Sequence, residues 1–198
     1  MVAEDFFGGL VFREALASLG IILALITLMA VIQIVNVQLD GGLGRYGILP
    51  RSTNHLLNIF SAPFVHGSNA HLVSNAFGLL VFGSLVIIRS RWLFVWGSLL
   101  IIAVSGVLAW LIGREALHVG ASGWIYGLWA LTISIAWFDR KLINIVIAVV
   151  VLVLYGSMSY GLLPVQSSVS FEMHIAGAIA GVVCAYCYKQ ILNRRRRN

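Results

Sequence analysis

Three stretches of this sequence hold residue types that could do nucleophilic chemistry together if the fold let them meet. "HVGASGWIYG" (His118–Gly127) surrounds one hydroxyl, Ser122, with small residues and puts Tyr126 four positions on. "FVHGSNAHLVSNAFG" (Phe64–Gly78) holds His66, His71 and Asn75, the last two four apart and so on one face of a helix. "VSFEMHIAGAIAG" (Val169–Gly181) holds His174, with Gly177 and Gly181 on the histidine's own face and Ala180 on a different one. A hydroxyl, an imidazole able to take its proton, and an amide plus a second imidazole able to donate to an oxyanion are the parts of an acyl-transfer site.

The elements that must position these residues follow from the solvent. Hydrophobic residues make up 60% of the 198 and charged residues 10%, with a mean hydropathy of +0.97, whereas ordinary soluble domains are about 45–50% apolar and about 25% charged. The solvent is therefore lipid. A hydrocarbon core about 30 Å thick needs about 20 helical residues per crossing. The sequence offers six such segments, expected at Leu16–Val37, His71–Ile88, Trp92–Ile112, Ser122–Phe138, Leu142–Leu162 and Met173–Ile191. In lipid every backbone group must be bonded within the segment, and no barrel-type alternation is visible, so helices are expected. The first run is preceded by Glu4, Asp5, Arg13 and Glu14 rather than a basic leader and reads as a retained helix. The expectation is a single all-α membrane domain over residues 1–198, a six-helix bundle with a short N-terminal segment at about 1–15 and a basic tail at about 192–198.

Lysine and arginine are held on the cytoplasmic side of membranes. With the N-terminus inside, the cytoplasmic segments carry ten of them: Arg13, Arg89, Arg91, Arg140, Lys141, Lys189 and the run Arg194–Arg197. The external loops carry three: Arg45, Arg51 and Arg114. Both termini are thus expected in the cytoplasm. The terminal arginine run reads as a topology anchor touching anionic headgroups, not as a nucleic-acid site. Cys184 and Cys187, three apart on one helix, read as packing thiols. In this topology the second, fourth and sixth helices all run inward, so their polar starts fall in one leaflet: His71 and Asn75, Ser122 and Tyr126, and His174. If the neighbour of the "HIAGAIAG" face is the fourth helix, its glycines let His174 come within reach of Ser122.

Each residue also has a plainer reading. Ser122 could cap its helix, the histidines and Tyr126 could sit in the wet interface, and Glu172 could be a first-turn acid favoured by the helix dipole. Asn75 is harder to explain this way, because an amide inside a membrane helix needs a partner. The convergence of all of them at one depth is what the plain readings leave unexplained.

These motifs resemble those of the rhomboid family of intramembrane serine proteases. "FVHGSNAHLVSNAFG" is similar to the family's His-x4-His-x3-Asn helix start, "GASGWIYG" to its Gly-x-Ser-Gly nucleophile motif, and "VSFEMHIAGAIAG" to its His-x2-Gly-x3-Gly helix. The resemblance implies a rhomboid-like six-helix bundle in which Ser122 is the nucleophile and His174 its general base. It implies an oxyanion hole formed by His71, Asn75 and the amide of Ser122. Tyr126 would pack against His174, and Gly120, Gly123, Gly177 and His66 would support the site. Leu57 and Asn58 stand where many members carry a Trp-Arg pair, an apolar residue near Ile87 replaces a common acid, and Met173 replaces a small residue.

The implied substrates are transmembrane proteins, the implied setting is the bacterial inner membrane, and the site would open to the external side. No cofactor, metal or nucleic acid is expected. Three alternatives remain open on the residues alone: a non-catalytic protein of the same fold that binds transmembrane clients, a small transporter whose histidines line a path, and a metal site built from His66, His71 and His174.

Overall fold

The computed structural model describes the backbone of residues 2–165, 169–195 and 197, and the side chains of these from residue 16 onward. Arg196 and the side chain of Arg13, both counted in the charge asymmetry, lie outside what is described.

Each of the six apolar segments is helical, and among the described residues there is no β-strand. In chain order the helices are α1 (Val2–Gln38), α2 (Asn69–Arg89), α3 (Arg91–Ile112), α4 (Ser122–Phe138), α5 (Leu142–Leu162) and α6 (Phe171–Arg195). Five are long and apolar enough to cross a membrane; α4, with 17 residues, is shorter. Two helices start earlier than expected because serines extend them. Ser68 and Ser90 accept hydrogen bonds from the amides of His71 and Leu93, capping α2 and α3. The last part of α5, Gly156–Leu162, tightens into a 3-10 turn.

The shortest helix is the most enclosed. Residues from Gly123 to Thr132 of α4 are buried without a break, while α1 and α5 turn rows of leucine, isoleucine and valine outward, as at Leu23, Ile34, Ile143 and Val153. A water-soluble protein does not expose such continuous apolar faces; these are lipid-facing. Ala180, expected on a face apart from the glycines, is fully buried on α6. The α6 stripe facing the core is therefore wider than the Gly177–Gly181 line.

α4 and α6 meet backbone to backbone. A methyl carbon on Gly177 would overlap the carbonyl oxygen of Gly123, and one on Gly181 would overlap that of Gly127. Met173 packs over Gly123 in the same seam. At the far end Asp139, just past α4, is buried and accepts a hydrogen bond from Lys189 Nζ at 2.9 Å. Arg89 and Lys141 lie 3.7 and 3.8 Å away. That bond with Lys189 holds the Asp139 carboxyl below the usual carboxylate range. An acid at a helix C-terminus opposes the helix dipole, so these cations make the position tolerable and tie α2, α4 and α6 together.

The loop between α1 and α2 is stitched by its own polar groups. Asn58 donates to the carbonyls of Arg45 and Gly47 at 3.0 and 2.9 Å, and Trp110 of α3 donates to Ser52 O at 2.8 Å. Asn58, singled out in the sequence as a departure from the resembled pattern, thus closes the loop through two backbone carbonyls. Asn36 of α1 donates to His66 O at 3.0 Å and ties the loop's end, just before α2, to α1.

Candidate active site

Ser122 is the first residue of α4, and the chain enters it through Gly120 at φ +104°, a left-handed conformation that suits glycine. The hydroxyl does not cap its helix. Whereas Ser68 and Ser90 bind backbone amides, the Ser122 oxygen is uncommitted among the described residues. It faces a cavity of about 690 Å³ that is also lined by His71, Asn75, Tyr126 and His174. The structure therefore gathers at one cavity the residues selected by type from three separate stretches.

His174 is buried and its ring lies on Tyr126, with centroids 4.0 Å apart and planes within 8°. Its Nδ1 is 2.8 Å from the carbonyl oxygen of Gly161. A carbonyl only accepts, so Nδ1 carries the proton and Nε2 is left with a lone pair. The Tyr126 hydroxyl donates to Met158 O at 2.9 Å. The 3-10 end of α5 therefore holds both rings by backbone carbonyls, and a methyl carbon on Gly161 would overlap the Tyr126 oxygen. No hydrogen bond joins Ser122 to His174 among the described residues; such bonds tighten when a substrate is bound.

On the other wall, Asn75 is buried and its Nδ2 has no hydrogen-bond partner among the described residues. A buried amide donor left unmade costs about 1–3 kcal/mol, a deficit that an arriving anionic oxygen would remove. Gly120 makes the approach possible: a methyl carbon there would sit 2.5 Å from the His71 ring and 3.1 Å from Asn75 Nδ2. His66 lies behind, edge-on to His71 at 5.1 Å. Burial, reinforced by the neighbouring His71, pushes the His66 imidazole down to about 4, so it is neutral at physiological pH.

Sequence reasoning did not find the Gly161 and Met158 carbonyls, because a main-chain acceptor has no signature in residue type. It also missed His118 and Ser170, which line the same cavity. His118 stands inside the quoted "HVGASGWIYG", and that was the available signal. Glu172 is more than a dipole-compensating acid: its side chain pairs with Arg114 Nε at 3.2 Å.

A family model described as the rhomboid domain matches residues 53–191. An uncharacterized protein of Mycobacterium tuberculosis is 37% identical over 175 residues, spanning 83% of this chain and 72% of its own. An uncharacterized protein of Mycobacterium leprae is 33% identical over 174 residues, spanning 83% and 69%. Rhomboid-like protein 11, chloroplastic, of Arabidopsis thaliana is 32% identical over 144 residues, spanning 64% of this chain and 50% of its own.

Proposed function

The chain belongs to the rhomboid family, and on that premise we propose that it is an intramembrane serine endopeptidase working through a Ser122–His174 dyad. The observation that carries this reading is the uncommitted Ser122 hydroxyl sharing one cavity with an imidazole whose Nδ1 proton is already spent on Gly161. His174 Nε2 takes the Ser122 proton as Oγ attacks the scissile carbonyl carbon. The resulting oxyanion receives hydrogen bonds from Asn75 Nδ2, His71 and the Ser122 amide, at a helix N-terminus whose partial positive charge favours it. The C–N bond then breaks, His174 returns its proton to the amine, and water enters to hydrolyse the acyl-enzyme by the same base. The Gly161 carbonyl does the orienting that a carboxylate does in a three-residue triad.

Substrates in this reading are membrane proteins cleaved in or near a transmembrane segment. α4 is the shortest of the six helices: its 17 residues rise about 25 Å, short of the roughly 30 Å hydrocarbon core, and a start recessed below the surface suits a serine that water must reach. A serine-reactive fluorophosphonate is expected to label the purified protein and not its Ser122→Ala variant. A folded parent protein that resists labelling would instead favour a non-catalytic rhomboid that binds transmembrane clients.

The proposed orientation puts both termini in the cytoplasm and the cavity on the external side. It is supported by the placement of Arg89, Lys141 and Lys189 around Asp139 at the end opposite the cavity. Alkaline phosphatase fused after residue 198 is expected to be inactive, and the same enzyme inserted in the loop 40–70 active. The reverse pattern would overturn the orientation.

A further inference from the structure

We infer that Ser170, His118, Glu172 and Arg114 form a clamp that fixes the base helix against the nucleophile helix, with Ser170 and Glu172 acting as positioning residues for the proposed reaction. The inference rests on the Ser122–His174 assignment and concerns residues to which that assignment gives no role.

His118 is buried, and its Nε2 lies 3.1 Å from the carbonyl oxygen of Arg114. That carbonyl only accepts, so Nε2 carries the proton and Nδ1 accepts from the Ser170 hydroxyl, 2.6 Å away. The Ser170 oxygen is in turn 3.5 Å from Glu172 Oε2. Arg114 closes the circuit: Nε pairs with Glu172 Oε1 at 3.2 Å, Nη2 donates to the carbonyl of Val169, and the guanidinium lies 5.5 Å from the centre of the Phe171 ring. The Glu172 side chain is only 9% exposed, so losing Arg114 would leave a largely buried carboxylate unpaired. On the α4 side the clamp has a rigid seat, because His118 and Ile48 exchange backbone hydrogen bonds at 2.8 and 2.9 Å.

The position of the clamp along the helices gives it a mechanical role. The glycine seam grips α6 at Gly177 and Gly181, inward of His174, and the clamp grips it at Ser170 and Glu172, outward of His174. Ser122 is bracketed in the same way by His118 and Gly123. With the seam alone α6 could pivot about the Gly177 contact and swing the His174 ring away from Ser122; a second grip removes that freedom. Displacements of about 1 Å between reacting groups cost on the order of 10²-fold in rate, so a small pivot matters.

The test compares Ser170→Ala, Ser170→Thr and Glu172→Gln with the parent on a transmembrane substrate, alongside fluorophosphonate labelling rate and thermal midpoint. Ser170→Ala removes one oxygen and little volume. It should lower kcat and the labelling rate about tenfold with KM unchanged, and Ser170→Thr, which keeps the hydroxyl, should restore most of the rate. Glu172→Gln should behave like Ser170→Ala; if it fails to fold, the serine pair decides. Parental kcat in Ser170→Ala, or a lowered midpoint without loss of kcat, overturns the clamp and leaves the dyad intact. Absence of both labelling and cleavage in the parent overturns the dyad and the clamp's role with it.

Discussion

Ser122→Ala and His174→Ala are each expected to abolish cleavage of a transmembrane substrate, a loss on the order of 10⁵-fold or more, while the protein still elutes as a folded species in detergent. In the proposed dyad nucleophile and base act as one unit, so the double variant should be no worse than either single one. The structural grounds are that Ser122 caps nothing and that the His174 ring is held by Gly161 and Tyr126 rather than by the seam. Removing either side chain therefore deletes a reacting group and few packing contacts. Asn75→Ala should lose less, about 10²–10³-fold, because the His71 and Ser122 donors remain. Cleavage rates under single-turnover conditions check all four. Cleavage retained in Ser122→Ala would end the serine-protease reading. Equal and total loss in Asn75→Ala would point to a structural network instead.

Gly177→Val should cost on the order of 10²-fold or more in rate and lower the thermal midpoint. A methyl carbon at position 177 would overlap the Gly123 oxygen and lie 2.8 Å from the Gly123 carbonyl carbon. No rotamer relieves that clash, because both partners are backbone. The two helices must part, and Gly123 is the residue next to Ser122, so the parting falls directly on the distance between hydroxyl and imidazole. Overpacking of this kind also destabilises by roughly 1–3 kcal/mol. The control is Ile179→Val on the lipid-facing side, where Ile179 is half exposed; it should leave both quantities near parental values. Ala180→Val does not serve as that control, since Ala180 is buried. A parental cleavage rate in Gly177→Val would show that the glycines do not set the approach.

What could be read from the chain follows the range of each interaction. Apolar runs of crossing length announce themselves locally, so the six segments could be placed within a few residues. The α1 start could not, because Glu4, Asp5, Arg13 and Glu14 argue against a lipid-embedded run while the helix continues through them from Val2. The backbone-contact glycines were legible because spacing alone puts Gly177 and Gly181 on the His174 face. The Gly161 carbonyl was not, since any residue offers one, and Gly161 is thirteen residues from His174. His118 and Ser170 were illegible for a different reason. They are 52 residues apart, and only the folded seam makes a histidine in one loop and a serine in another into neighbours. Asn58 illustrates a partial reading: its departure from the family's pair was visible, whereas the two carbonyls it binds were not.

The Asp139 junction bears on the order in which the chain is made. Lys189 lies fifty residues after the acid it pairs with, which at a synthesis rate of about 5–20 residues per second is a delay of roughly 3–10 s. Throughout that interval Arg89 and Lys141 are the partners already present for the acid. His174, on the same late helix, has not yet joined Ser122 at the cavity. When α6 arrives, its lysine completes the junction at one face of the bilayer as its glycines close on α4 near the other. On the serine-protease reading, the chain is inert until α6 docks. In that reading the order of synthesis does for the site what a propeptide does elsewhere, by withholding the base from the nucleophile.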